Sequence, residues 1–358
     1  MHLAFIRTRG QAGLDAPCVT AEIHLSTGLP GFQVVGLSDT ACRAMRGRIR
    51  SAIISSHLKW PDYHITVNLA PAESIKQGAR YDLPVALGLL IASQQLPEAI
   101  AHRREFFGEL GLDGSIRQCR GLLSAVVAAT QAGCACGVAI EGASVLASVT
   151  QSRIIAAPDL LSLCGQLQQP NPTLSVTNHS HDSAPITYPD LSAIRGQPLL
   201  CRALELAAAG GHHLLISGPP GIGKTLAASV LPGLLPPVTP AQRREVGLLR
   251  DLAGLPHCEA PPFRAPHHSS SIAALMGGTS QAIPGEISMA HAGVLFLDEL
   301  AEFPRAVLNQ LRQPLETGEI TVSRAAHKHT YPAQFQLVAA MNPCPCGMSG
   351  RPESTCHC

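Results

Sequence analysis

The chain is poor in aromatic residues. Phe, Trp and Tyr together make up 4%, with a single Trp among 358 residues. Aromatic-rich cores are therefore not expected, and close packing has to come mainly from small and aliphatic side chains. Charged residues are also scarce, at 14%, and they nearly cancel to a formal net charge of +1. No global basic excess points to nucleic acid, so any such contact has to be local. No apolar run approaches the ~18 residues of a membrane span. The opening MHLAFIRTRG is too short and too polar for a signal peptide. These absences point to a cytosolic, cytoplasmic protein with no membrane partner.

What is present is a 46% hydrophobic chain long enough for two or three domains. Its twelve cysteines divide into two kinds. Eight are scattered in apolar settings such as AGCACGVAI, where a reducing compartment leaves them as small hydrophobes. Four cluster in the closing stretch MNPCPCGMSGRPESTCHC: Cys344, Cys346, Cys356 and Cys358.

Residues 1–165 mix short strands and helices. HITVNLAP alternates Ile65, Val67 and Leu69 inward and reads as a strand, and DLPVALGLLIAS reads as a buried helix. Residues 166–188 are rich in Pro, Asn and Ser and read as a linker. A second domain is expected over 189–343, with the cysteine cluster at 344–358. In it, LLCRALELAAAG is a helix that stops at Gly210 and Gly211, and HHLLIS is a short buried strand.

That strand runs into GPPGIGKT, comprising Gly218, Pro219, Pro220, Gly221, Ile222, Gly223, Lys224 and Thr225. The stretch fits G-x-x-x-x-G-K-[ST] with a strand before it and a helix, KTLAASVL, after it. Glycines let backbone N–H groups wrap phosphates, and the helix presents its positive end to them. Lys224 then reaches the β- and γ-phosphates of ATP, and Thr225 offers a hydroxyl to Mg2+. Further on, GVLFLDEL is a continuous apolar strand that delivers Asp298 and Glu299 at its C-terminal end. Asp298 would hold the magnesium shell and Glu299 would polarise the attacking water. A third strand, FQLVAAMN, ends on Asn342, placed to touch the γ-phosphate or that water.

These three elements, in this order, resemble the AAA+ ATPases. PFRAPHHSSSIAALMGG, PGEISMAHAGVLFLDELAEF, LRQPLETGEITVSRA and LVAAMNPCPCG narrow the likeness to the magnesium-chelatase-like proteins of the ComM/YifB type. In the front half, GLPGFQVVGLSDTACRAMRGRIRSAI and ITVNLAPAESIKQGARYDLPVALGLL resemble that family's Lon-protease-like domain. The resemblance implies an α/β fold: an N-terminal Lon-protease-like (ribosomal S5-like) α+β domain, then a P-loop AAA+ α/β domain. It also implies a homo-hexameric, ATP-driven DNA motor of the helicase or branch-migration type, serving recombination or natural transformation. By position, Asp298 and Glu299 match the acidic strand-end pair and Asn342 the polar sensor. GEITVSRAAHKHTYP matches a β-hairpin before that sensor. The alternation of Ile320 and Val322 with Thr321 and Ser323 supports a hairpin independently. Arg324 and Lys328, with His327 and His329, would form a basic tip for sequence-independent contact with DNA phosphates; a solvated turn is the competing reading. His267 and His268 are expected to diverge and not to chelate a metal.

Two departures from the family matter. Where the protease pattern puts its Ser, this chain has Arg80, and Lys76 is left as a surface lysine, so no peptidase activity is expected. The family also continues past the cysteines into an arginine finger and a helical lid that this sequence does not contain, so the resemblance leaves the hydrolysis rate of this chain open. A nucleotide-binding scaffold with little turnover and a metal-chelatase motor subunit are the competing functions. The four clustered cysteines suit one tetrahedral Zn2+. Disulfides, an iron–sulfur cluster and free thiols are the alternatives.

Overall fold

The computed structural model describes residues 2–71, 78–143, 146, 152–169, 186–278, 283–324, 327–344 and 356. It divides into two compact units, Met1–Asp182 and Ser183–Cys358. No helix among the described residues is long and apolar enough to cross a membrane.

The first unit is built on a seven-stranded mixed sheet in the order β3-β4-β2-β1-β5-β8-β9. Its strands are β1 (His2–Arg9), β2 (Cys18–Ser26), β3 (Gly31–Val35), β4 (His64–Ala70), β5 (Arg104–Phe106), β8 (Ala135–Ala139) and β9 (Ile154–Ala157); a small separate hairpin joins β6 (Glu109–Leu110) to β7 (Ile116–Arg117). The expected alternation in β4 is present, with Ile65, Val67 and Leu69 buried. Helix α1 (Asp39–Ser55) starts at Ser38, whose side chain accepts from the Ala41 N–H, the ordinary means of satisfying a first-turn donor. Helix α2 (Asp82–Ala92) is buried along its whole length, as an apolar DLPVALGLLIA segment requires. Its one charge, Asp82, is held by a two-point pair with Arg48 of α1 at 2.6 and 3.0 Å. Burial pushes the Asp82 carboxyl up to about 6 against the pull of Arg48. Helices α3 (Leu122–Gln131) and α4 (Leu160–Leu167) complete the unit. Arg80 is buried and donates through Nη2 to the Arg120 carbonyl. Lys76 lies outside the described residues.

The second unit carries a four-stranded parallel sheet in the order β10-β15-β12-β11. These are β10 (Leu214–Ser217), β11 (Phe263–Arg264), β12 (Val294–Leu297) and β15 (Gln336–Met341). Helix α5 (Pro198–Gly210) ends where expected, because Gly211 adopts the left-handed conformation that closes a helix. Helices α6 (Lys224–Leu234) and α7 (Pro240–Leu252) follow, then α8 (Ile272–Met276), α9 (Glu286–Met289), α10 (Arg305–Gln310) and α11 (Arg312–Thr317). β12 is buried at every residue, as its uninterrupted VLFL predicts. β10 is not the fully buried strand expected: Ile216 is 7% exposed but Leu215 is 55% exposed. The reason is position. Among the described residues β10 is an edge strand paired with β15 alone, so Leu215 has a neighbouring strand on one side and none on the other.

The expected linker differs at both ends. α4 continues to Leu167, and Tyr188 is tied by its hydroxyl to the Pro261 carbonyl at 2.6 Å. Residues 170–185 lie outside the described residues.

A buried histidine gives this unit a pH dependence. His291 is 1% exposed; its Nδ1 accepts from the Gln334 N–H at 3.2 Å, so Nε2 carries the proton and faces Glu245 at 2.9 Å. Burial pushes the imidazole below its usual range, with Glu245 pulling the other way. Because the folded value lies below the unfolded one, this stability is present above pH ~6.5 and is lost as pH falls below it. Denaturant unfolding at pH 7.5 and 5.5 should therefore show a larger fall in midpoint for wild type than for His291→Gln. An equal fall in both would refute the assignment.

Candidate nucleotide site

Strand register assembles the site. β10 aligns Ser217 with Met341 of β15, and the Gly218 N–H donates to the Met341 carbonyl at 3.2 Å. β12 aligns Leu297 with Ala339. The loop after β10, the acidic pair after β12 and Asn342 after β15 thus emerge together at the C-terminal edge of a parallel sheet, where such folds place ligands.

The glycine loop takes its shape from residues with no Cβ. Gly221 and Gly223 have φ of 82° and 88°, a region that costs other residues energy. α6 then begins at Lys224 with no side-chain cap, leaving its N-terminal end to the loop. The Lys224 ammonium donates to the Gly218 carbonyl at 2.6 Å, the Pro219 carbonyl at 3.2 Å and Asn342 Oδ1 at 2.8 Å. Thr225 Oγ1 donates to Asp298 Oδ2 at 2.9 Å. Lys224, Thr225, Asp298 and Asn342, which come from three separate segments, therefore touch in pairs. An oxygen-seeking cation fits the Thr225–Asp298 pair, since a hydroxyl and a carboxylate are the donors that magnesium takes.

Glu299 has φ 53° and ψ 50°, left-handed for a residue that is not glycine, and its N–H donates to Asp298 Oδ1 at 2.9 Å. Strain of this kind is held where the surroundings fix it, often at functional sites. Its carboxylate is half-exposed and lies 3.2 Å from His268 Nδ1. The sequence alone gives no sign of that contact. The two histidines also do not diverge as expected: the His267 and His268 rings lie 4.0 Å apart between centroids, and His268 meets Phe303 edge-on. A second contact not foreseen is Gln197 Nε2 donating to the Ile222 carbonyl at 2.9 Å, which ties the loop to the residue before α5.

The hairpin forms as β13 (Glu319–Arg324) and β14 (His327–Pro332), antiparallel, with Arg324 opposite His327. Ile320 is buried and Lys328 is exposed. The turn at 325–326 lies outside the described residues, as do the side chains of Arg324 and His327.

At the cysteine cluster, Cys344 Sγ and Cys356 Sγ are 3.6 Å apart. That is too far for a bond of ~2.05 Å and close to the ~3.8 Å edge of a tetrahedron with 2.3 Å zinc–sulfur arms. Cys346 and Cys358 lie outside the described residues. Among the described residues no group of three or more metal-ligating side chains forms.

Two families match the chain: "Magnesium chelatase, subunit ChlI" over residues 190–358 and "Subunit ChlI of Mg-chelatase" over 21–142. The YifB protein of Salmonella typhimurium is 44% identical over 351 residues, covering 97% of this chain and 69% of its own length. The competence protein ComM of Haemophilus influenzae is 45% identical over 355 residues, covering 97% and 70%. Among solved structures, the BchI–BchD complex of magnesium chelatase aligns with a TM-score of 0.35 and 24% identity, over 43% of this chain and 54% of its own.

Proposed function

Because the chain belongs to the magnesium-chelatase-like family that includes YifB and ComM, we propose that it is an ATP-hydrolysing AAA+ motor acting on DNA. The observation that carries the ATP reading is the double contact of Lys224 with Asn342 and of Thr225 with Asp298, at 2.8 and 2.9 Å. Gly218 to Thr225 wrap the triphosphate. Lys224 leaves its carbonyl partners for the β- and γ-phosphates. Thr225 and Asp298 would hold magnesium, which would offset phosphate charge. Glu299 accepts the proton of the attacking water, and Asn342 orients that water or the γ-phosphate. His268 fixes the direction of a carboxylate that would otherwise sample several rotamers.

The DNA reading rests on the hairpin and on the family. A relative named for competence supports action on incoming DNA, by helicase or branch-migration chemistry, in a ring of six identical subunits. Arg324→Ala with Lys328→Ala should weaken DNA binding alike for unrelated sequences and lower the slope of log K against log salt by about 2. Unchanged binding by this double variant removes the hairpin from the account.

Zinc at Cys344, Cys346, Cys356 and Cys358 is the reading that the Cys344–Cys356 spacing supports. It braces the loop leaving Asn342. Metal analysis of protein purified under reducing conditions should give one zinc per chain, and Cys356→Ser should lose it. Metal-free wild-type protein ends this assignment.

A further inference from the structure

Helix α1 has a second face that neither the nucleotide site nor the fold uses. Arg48 points inward to Asp82, but Arg43, Arg46 and Arg50 are all exposed. Their spacing of three and four residues places them within about 60° of arc, in one row about 10 Å long. Among the described residues, no carboxylate comes within 4.0 Å of any of the three. The one acidic residue on α1 is Asp39, in its first turn. Beside the row the helix surface is low, because Gly47, about 40° around the axis from Arg43, is exposed and the space above it is open.

We infer that this face of α1 docks the phosphate backbone of a nucleic acid, as a second DNA contact on the N-terminal unit. The inference rests on the DNA reading above and gives it a further site. Three like charges side by side repel one another and raise the energy of the folded chain unless something negative covers them. A small anion spans one or two guanidiniums, whereas a row of three about 10 Å long matches a linear polyanion. Guanidinium is the group for this task, since its planar fork takes phosphate oxygens two at a time. The open space at Gly47 beside the row lets a backbone approach the helix closely. No base-reading side chain accompanies the arginines, so the contact is independent of sequence. The near-neutral charge of the whole chain hides it, because the face carries three arginines against one acid, Asp39, a turn before Arg43.

The test is fluorescence anisotropy with a short labelled DNA duplex between 50 and 200 mM salt, using the full chain. The triple variant Arg43→Gln, Arg46→Gln, Arg50→Gln should bind about tenfold or more weakly at 100 mM salt, with the salt slope lowered by about 2–3. Arg46→Gln alone should lower the slope by about 0.9, which keeps the test open if the triple variant folds poorly. Wild-type binding with an unchanged slope in both variants overturns the inference and leaves the hairpin reading standing. Failure of the wild type to bind DNA at all overturns both. A triple variant that binds DNA normally but no longer binds anionic phospholipid vesicles makes this a lipid surface, which also overturns it.

Discussion

Replacing Lys224 with Ala should reduce affinity for ATP by about 100-fold or more. The ammonium makes three hydrogen bonds, to the Gly218 and Pro219 carbonyls and to Asn342 Oδ1. ATP offers phosphate oxygens in their place. Hydrogen bonds to charged groups contribute about 1.5–3 kcal/mol each, so losing two of them costs about 3–6 kcal/mol of binding. Part of that is offset because the empty loop of the variant has no ammonium to release from its carbonyls, which puts the expected loss at the lower end of that range, from about 100-fold upward. Titration with a fluorescent ATP analogue reads this directly. Affinity within a factor of three of wild type would show that the glycine loop is not the phosphate cradle.

Glu299→Gln should do the opposite: bind ATP within about twofold of wild type and lose turnover by about 10²–10⁴, the range that a positioned general base contributes. Glutamine keeps the volume and one acceptor oxygen but cannot take a proton from water. Binding survives because the phosphate contacts come from Gly218 to Thr225 and not from Glu299. A single-turnover assay on pre-bound ATP separates the two effects. Turnover as fast as wild type would assign the base elsewhere, and lost binding would make Glu299 a structural group.

Much of this site is legible in the sequence because its signals are local. A glycine loop between a strand and a helix, an apolar VLFL before two carboxylates, and the Ile320/Val322 alternation each report their own segment, and each segment forms as expected. Contacts between segments are not written that way. His268 and Glu299 meet because the loop after β11 folds over the end of β12, and Gln197 reaches Ile222 across the loop. No periodicity encodes either. HHLLIS misleads for a related reason: an apolar run shows that a strand is there, but an edge position decides how much of it is covered. The arginine row on α1 has the right helical spacing, yet its exposure, and the absence of a carboxylate partner among the described residues, depend on where Asp82 and the sheet lie.

The central claim is that the assembled P-loop site hydrolyses ATP in the service of work on DNA. Phosphate release measured with and without DNA, on the same preparation, tests it most directly. The account predicts that DNA raises the ATP turnover of wild type and that Glu299→Gln turns over about 10²-fold or more slowly in both conditions. Turnover indifferent to DNA, or equal in wild type and Glu299→Gln, would contradict it.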